Sequence, residues 1–223
     1  MKLRLLVGLA ATLLIGVLAL LGRQVPLEPR PPAQRPTLAL LTSLPLMFGE
    51  SFGLASGGSP ALTALEQRYN VQPIGVADAP SLAGQKLLLM AHPRAQPAQA
   101  LVELDRWVRD GGRLLLLADP KLDWDSGRPL GDRFRPPPDF ADTGLLAHWG
   151  ITLSGPVEGS SAGRLAAKKC GIAGQGLIAR CRIGKGAVTV VADADFLNVQ
   201  PSAEPKDGDL GLLVDELGRL ESL

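Results

Sequence analysis

Leu101 to Pro120 reads LVELDRWVRDGGRLLLLADP, and the reading of this stretch decides the fold. Leu101, Leu104 and Val108 recur at three- and four-residue spacing while Glu103, Arg106 and Arg109 fall elsewhere on the wheel, the pattern of a helix with one apolar face. Gly111-Gly112 supplies a left-handed stop. Arg113 to Ala118 then runs apolar without alternation, as a strand covered on both faces does, and ends at Asp119-Pro120. A helix with one apolar face feeding a doubly buried strand is the repeating unit of a parallel sheet with helices on both sides.

The same grammar extends in both directions. Upstream, Lys86 to Met90 (KLLLM) and Thr37 to Leu41 (TLALL) read as buried strands, and Val71 to Val76 as a further one. Ser59-Pro60 marks the N-cap and first turn of a helix whose apolar face carries Leu62, Leu65 and Tyr69. Downstream, a short helix is expected at Asp142 to Trp149 and strand-like pieces from Ile151. A hairpin is expected from RLAAKKC and GLIARCRI around GIAGQG, followed by a strand at Ala187 to Ala192. Leu210, Leu213, Val214, Leu217 and Leu220 form a last helical stripe. The expectation is an α/β domain over residues 37–223, with a mainly parallel sheet and a small β-hairpin insertion.

Ahead of that domain, Leu5 to Gly22 carries no charge and is flanked by Lys2, Arg4 and Arg23. As a helix it is about 27 Å long, close to the bilayer core of about 30 Å. Residues 1–23 are therefore expected to be a single N-terminal transmembrane helix, with a cleaved signal peptide as the alternative. Residues 24–36 contain five prolines and read as an extended linker. A very short leading tail before a long domain favours an inner-membrane protein with the domain in the periplasm.

The chain has 23 Lys plus Arg against 22 Asp plus Glu, a net charge of +1, so nucleic-acid binding through excess positive charge is not expected. GIAGQG and IGKGAV lack the order of a phosphate loop, and the second leads into a strand, so no nucleotide cofactor is expected. His92, His148 and the two cysteines show no short ligand spacing, so no metal centre is expected from them.

Residues 101–120 and IGKGAVTVVADADFLN (residues 183–198) resemble two signatures: helix, Gly-Gly, strand, Asp-Pro, and Gly-Lys-Gly, strand, Asp-x-Asp-Phe. Both belong to gliding-motility-type, ABC-transport-associated extracytoplasmic domains and related domains of unknown function. The likeness runs from Thr37 to Asn198. It implies a flavodoxin-like three-layer sandwich akin to class I glutamine amidotransferases, in a membrane-anchored accessory subunit that works with an ABC ATPase and permease. The chain departs from larger members in its last stretch, where Asp215, Glu216, Arg219 and Glu221 replace a second membrane segment.

An amidotransferase-like enzyme needs a nucleophile on the turn after a central strand. That turn is Ala91-His92-Pro93-Arg94, without Cys, Ser or Thr, and no G-x-S-x-G occurs, so no catalytic residue is assigned. If the hairpin is centred between Gln175 and Gly176, Cys170 and Cys181 lie opposite one another, within reach of a disulfide; two buried thiols are the alternative. Asp119, Asp193 and Asp195 follow strands, where an open parallel sheet places its ligand crevice, although aspartates there also cap turns. Two long loops share that end: one carries Phe48, Glu50 and Phe52, the other Asp123, Trp124, Asp125, Arg128, Arg133 and Phe134. They form a candidate partner or ligand surface, or a cover for the sheet edge. The alternative function is an envelope hydrolase with Glu50 and Asp119 as its carboxylate pair.

Overall fold

The computed structural model describes residues 29–47, 58–156, 158–159, 161–199 and 209–223. The expected membrane segment and the loop residues Phe48, Glu50 and Phe52 lie outside them. Among the described residues no helix is long and apolar enough to cross a membrane.

The chain forms strands β1 (Thr37–Thr42), β2 (Asn70–Pro73), β3 (Leu87–Ala91), β4 (Arg113–Leu117), β5 (Ile151–Ser154), β6 (Arg164–Ala167), β7 (Gly171–Ala173), β8 (Ile178–Ile183) and β9 (Gly186–Val191). Its helices are α1 (Pro60–Glu66), α2 (Ala79–Leu82), α3 (Ala98–Arg109), α4 (Leu145–His148) and α5 (Asp209–Glu221). Seven strands make one sheet in the order β2-β1-β3-β4-β9-β8-β7, and β5 pairs with β6 in a separate ribbon. The five strands from β2 to β9 are parallel, and β8 and β7 add on antiparallel. Counted by parallel strands alone, this is the 2-1-3-4-5 order of doubly wound flavodoxin-type sheets.

Strand periodicity explains the two cores. Ala39, Leu41, Leu88, Met90, Leu114 and Leu116 face one side, where Leu82, Leu104, Val108 and Leu146 cover them. Leu38, Leu40, Leu87, Leu89, Leu115 and Leu117 face the other, under Ala61, Leu65, Leu213 and Leu217. Alternate residues of one strand thus enter opposite cores, so the run Leu114 to Leu117 is apolar throughout. Each fully buried leucine contributes about 1.5–3 kcal/mol of burial free energy.

The quoted stretch folds as its pattern predicts. Ala100, Leu104 and Val108 are the buried face of α3, and Gly111 (φ 120°) turns the chain out of it. Ser59 caps α1, its Oγ accepting from Leu62 N at 3.1 Å. The hairpin needs correction: RLAAKKC does not form its first strand. Arg164–Ala167 pairs with β5, and the partner of β8 is the short segment Gly171–Ala173. The register Gly171↔Arg180 puts Cys170 opposite Cys181; a disulfide joins them with their Cα atoms 4.5 Å apart.

Residues 29–36 are tied to the domain instead of hanging free. Arg30 forms a two-bonded ion pair with Glu221 at 2.8 and 3.0 Å and lies over the Tyr69 ring, and Arg30 N donates to Gln67 O. Burial, together with the charge of Glu221, pushes the Tyr69 hydroxyl up to about 12. Arg113, at the start of β4, donates to the carbonyl of Glu221. The chain therefore enters the domain at the amino ends of the parallel strands, the end opposite the loops discussed next.

Candidate functional site

The carboxyl ends of the parallel strands carry two adjoining structures: a knot of acidic side chains over β4 and β9, and a cleft over β1 and β2.

In the knot, Asp119, Asp193 and Asp195 bring ligand atoms within 4.8 Å of one another. Asp119, fully buried, accepts from Lys121 N at 2.8 Å and from Ala194 N at 2.9 Å, one bond to each oxygen. Asp193 accepts from Asp195 N at 2.8 Å, and Asp195 Oδ1 accepts from Asp123 N at 2.7 Å. These carboxylates tie β4, β9 and the long loop 119–140 together. Burial pushes the Asp119 carboxyl up to about 6, opposed by its two amide bonds and reinforced by the charges of Asp195 and Asp193. Asp195 Oδ2 is a buried acceptor without a hydrogen bond. Asp119 could join a cation here only through oxygens that already accept from backbone amides.

His92 sits beside the knot at the turn after β3. Its backbone is left-handed (φ 44°), its side chain fully buried, and its Nε2 lies 2.9 Å from Pro137 O. Burial lowers its pKa, so the ring is neutral and Nε2–H is the donor to that carbonyl. Two residues on, Arg94 donates to the carbonyls of Arg133 and Arg135, and Arg135 donates to the carbonyl of Arg128. The turn after β3 is a clamp on loop 119–140.

The cleft encloses about 450 Å³. Leu40, Leu44, Pro45, Met47, Pro73 and Ile74 supply its apolar lining, and Arg94, Arg128, Arg133 and Phe134 line it as well. Arg128 and Arg133 lie over the Phe134 ring at 5.3 and 4.5 Å from its centre. Thr42 and Ser43 complete it from the end of β1.

Of the candidate surface residues, Arg128 lines this cleft. Asp119, Asp193, Asp195 and the backbone of Asp123 belong to the knot. Trp124 is half-buried and packs on the core shared by Leu197 and Leu217. The hydrolase pairing finds no support, since Asp119 is buried and both its oxygens are held by amides. Thr42, Ser43, Ile74 and Arg94 were not legible as site residues. Thr42 and Ser43 end and follow β1, Ile74 follows β2 and Arg94 lies three residues past β3, and only the sheet order brings them together.

A family model described as "ABC-type uncharacterized transport system" matches residues 35–156. The chain belongs to this family. The matched region contains the cleft, the clamp and Asp119 of the knot. No curated protein matches the chain. Among solved structures, the mmIFT52 N-terminal domain is 14% identical with a TM-score of 0.56, over 84% of this chain and 97% of that one. Cytoplasmic Protein STM1381 from Salmonella typhimurium LT2 is 13% identical with a TM-score of 0.48, over 82% of this chain and 99% of that one. Exo-beta-1,4-mannosidase Op5Man5 from Opitutaceae bacterium strain TAV5 is 16% identical with a TM-score of 0.45, over 82% of this chain. The chain spans 36% of that enzyme's length. At 14% identity the likeness to mmIFT52 is one of fold alone.

Proposed function

We propose that this family member is a membrane-tethered accessory subunit of an ABC-type transport system, with its α/β domain outside the cytoplasm, acting by binding and not by catalysis. The family match over residues 35–156 carries the proposal. Its partners on this reading are the ATPase and permease of that system. The apolar stretch Leu5 to Gly22 supports the tether. Attachment through Arg30 at the amino ends of the strands points the cleft away from the anchored end. The turn Ala91-His92-Pro93-Arg94 supports a non-catalytic role, because it offers no nucleophile and its imidazole is buried against Pro137.

The test is purification of the full-length tagged chain from native membranes in mild detergent, with identification of what accompanies it. Recovery of an ABC ATPase and permease supports the proposal. Release from the membrane with a cleaved N-terminus and no transport subunits would replace it with a free binding protein.

A further inference from the structure

We infer that the cleft over β1 and β2 binds the anionic head of a small amphiphile, a phosphate or carboxylate carried on an apolar body. The inference rests on the binding reading above and names the ligand class of that same site. Three features of the lining select this chemistry.

First, the positive charge is largely uncompensated. Arg94 is fixed by the carbonyls of Arg133 and Arg135, which position its guanidinium without neutralising it. Arg133 lies on Phe134, and among the described residues neither Arg94 nor Arg133 has a carboxylate in ion-pair range. Arg128 faces Asp132 at 3.8 Å. Guanidinium groups held in place over an aromatic ring suit the planar, two-oxygen face of a phosphate or carboxylate.

Second, much of the remaining lining is apolar. Pro73 and Ile74 present no donor or acceptor side chain and Met47 only a thioether, and Phe134 is 53% exposed at the rim. A bare inorganic anion leaves this lining wet, whereas a short alkyl or ring body covers it.

Third, the donor protons of the cleft's hydroxyls are already spent. Thr42 Oγ1 donates to Ala91 O and accepts from Leu44 N, both at 2.9 Å, and Ser43 Oγ donates to His92 O. A polyol needs both donors and acceptors from side chains, and these two hydroxyls offer it no donor. A volume of about 450 Å³ accommodates a head group with a short apolar body.

The test uses the full chain in phosphatidylcholine nanodiscs, titrated calorimetrically with hexyl phosphate, hexanoate, inorganic phosphate and hexanol. Saturable binding of hexyl phosphate is expected, with inorganic phosphate and hexanol each weaker by about tenfold or more. Arg133→Gln should weaken hexyl phosphate about fivefold or more at an unchanged melting temperature, and Arg133→Lys should restore part of the loss. Ile74→Asn should weaken hexyl phosphate while leaving inorganic phosphate unaffected. Equal affinity for inorganic phosphate, equal affinity for hexanol, no saturable signal, or indifference to Arg133→Gln would each overturn the inference. Phosphatidylglycerol nanodiscs separate the sources: competition with hexyl phosphate identifies a lipid head group, and undiminished binding identifies a free ligand. Co-purification of transport subunits without hexyl phosphate binding would sink this inference and leave the accessory role standing. Binding without those subunits would do the reverse.

Discussion

The Nε2 of His92 donates to the carbonyl oxygen of Pro137 across 2.9 Å, so the turn after β3 holds the far limb of loop 119–140 against the end of the sheet. Nδ1 of the same ring is buried without a hydrogen-bond partner. Protonating it would place a charge in the interior, near Asp195, Asp139 and Arg94.

The first prediction concerns pH. Because the folded pKa of His92 is depressed, its contribution to stability is complete above the usual value of about 6.5 and is lost as pH falls below it. Asp119 acts in the opposite sense. Its carboxyl is raised from 3.8 to about 6, so between those values the folded state binds the extra proton and stability rises as pH falls. Urea midpoints measured from pH 7.5 to 4.5 should therefore show opposed slopes in two variants. His92→Gln should leave the Asp119 effect, with stability increasing toward pH 4.5. Asp119→Asn should leave the His92 effect, with stability decreasing. Parallel profiles in both variants would refute the assignment.

The second prediction separates the fixed bonds of Asp119 from its titration. An amide at this position keeps one acceptor and turns an NH₂ toward a backbone N–H, at Lys121 or at Ala194. Asp119→Asn should cost about 1–3 kcal/mol at pH 7, the range for leaving a buried donor unpaired. Limited proteolysis should then cut loop 119–140 sooner, because that loop hangs from the same knot through Asp195 and Asp123.

A third prediction follows from the disulfide. Cys170 and Cys181 are 11 residues apart, and closing a loop of that size stabilises by about 3 kcal/mol on the chain-entropy model. Reduction, or the double substitution Cys170→Ser with Cys181→Ser, should lower the unfolding free energy by about that amount. It should leave the parallel strands intact, because the bridge pins only β7 to β8. Peptide mapping without reductant should recover the two cysteines as one linked fragment.

The fourth prediction tests the Gly-Lys-Gly turn. A Cβ on Gly186 would lie 2.1 Å from Val108 O and 2.2 Å from Gly112 O, both backbone atoms that cannot rotate aside. Lys185 N donates to Arg109 O and Ala187 N to Gly112 O in the same place. Gly186→Ala should destabilise by about 2 kcal/mol or more, since β9 must shift against the end of α3. Gly211→Ala on α5, where the Cβ meets nothing within 4 Å, should be neutral or stabilising by up to about 1 kcal/mol. Thermal melts of the pair distinguish a clash from a general loss of glycine.

The two stretches most legible in the sequence turn out to be neighbours. Residues 101–120 and 183–198 contain β4 and β9, paired along Arg113↔Ala187 to Leu117↔Val191. Their glycines meet at one end and their aspartates at the other, so both signatures describe one packing solution. Local pattern revealed these strands because burial on both faces leaves them almost wholly apolar, with Arg113 at the start of β4 and Thr189 within β9 as the exceptions. It missed α2, whose four residues are too few to show a helical period although Asp78 caps it through Ser81 N. It also misassigned the first hairpin strand, because Arg164–Ala167 has a competing partner in β5 that no local signal announces. Arg128, Arg133 and Phe134 were visible together as residues of one loop. Arg94 and Ile74 were not, because what unites them with that loop is the order of the strands.

The hydrogen bond from Ala194 N to Asp119 joins residues 75 apart in sequence, and it marks when the sheet can be completed. During synthesis, β1 to β4 emerge first and can pair with one another. β4 must then wait with one edge open while the whole insertion carrying the α4 helix, the small ribbon and the disulfide hairpin is made. An unpaired, almost wholly apolar strand is a template for other chains. The period between the arrival of β4 and that of β9 is therefore when the nascent chain most needs shielding. Slowing the translation of residues 118–185 should lower the yield of folded protein more than slowing any earlier segment.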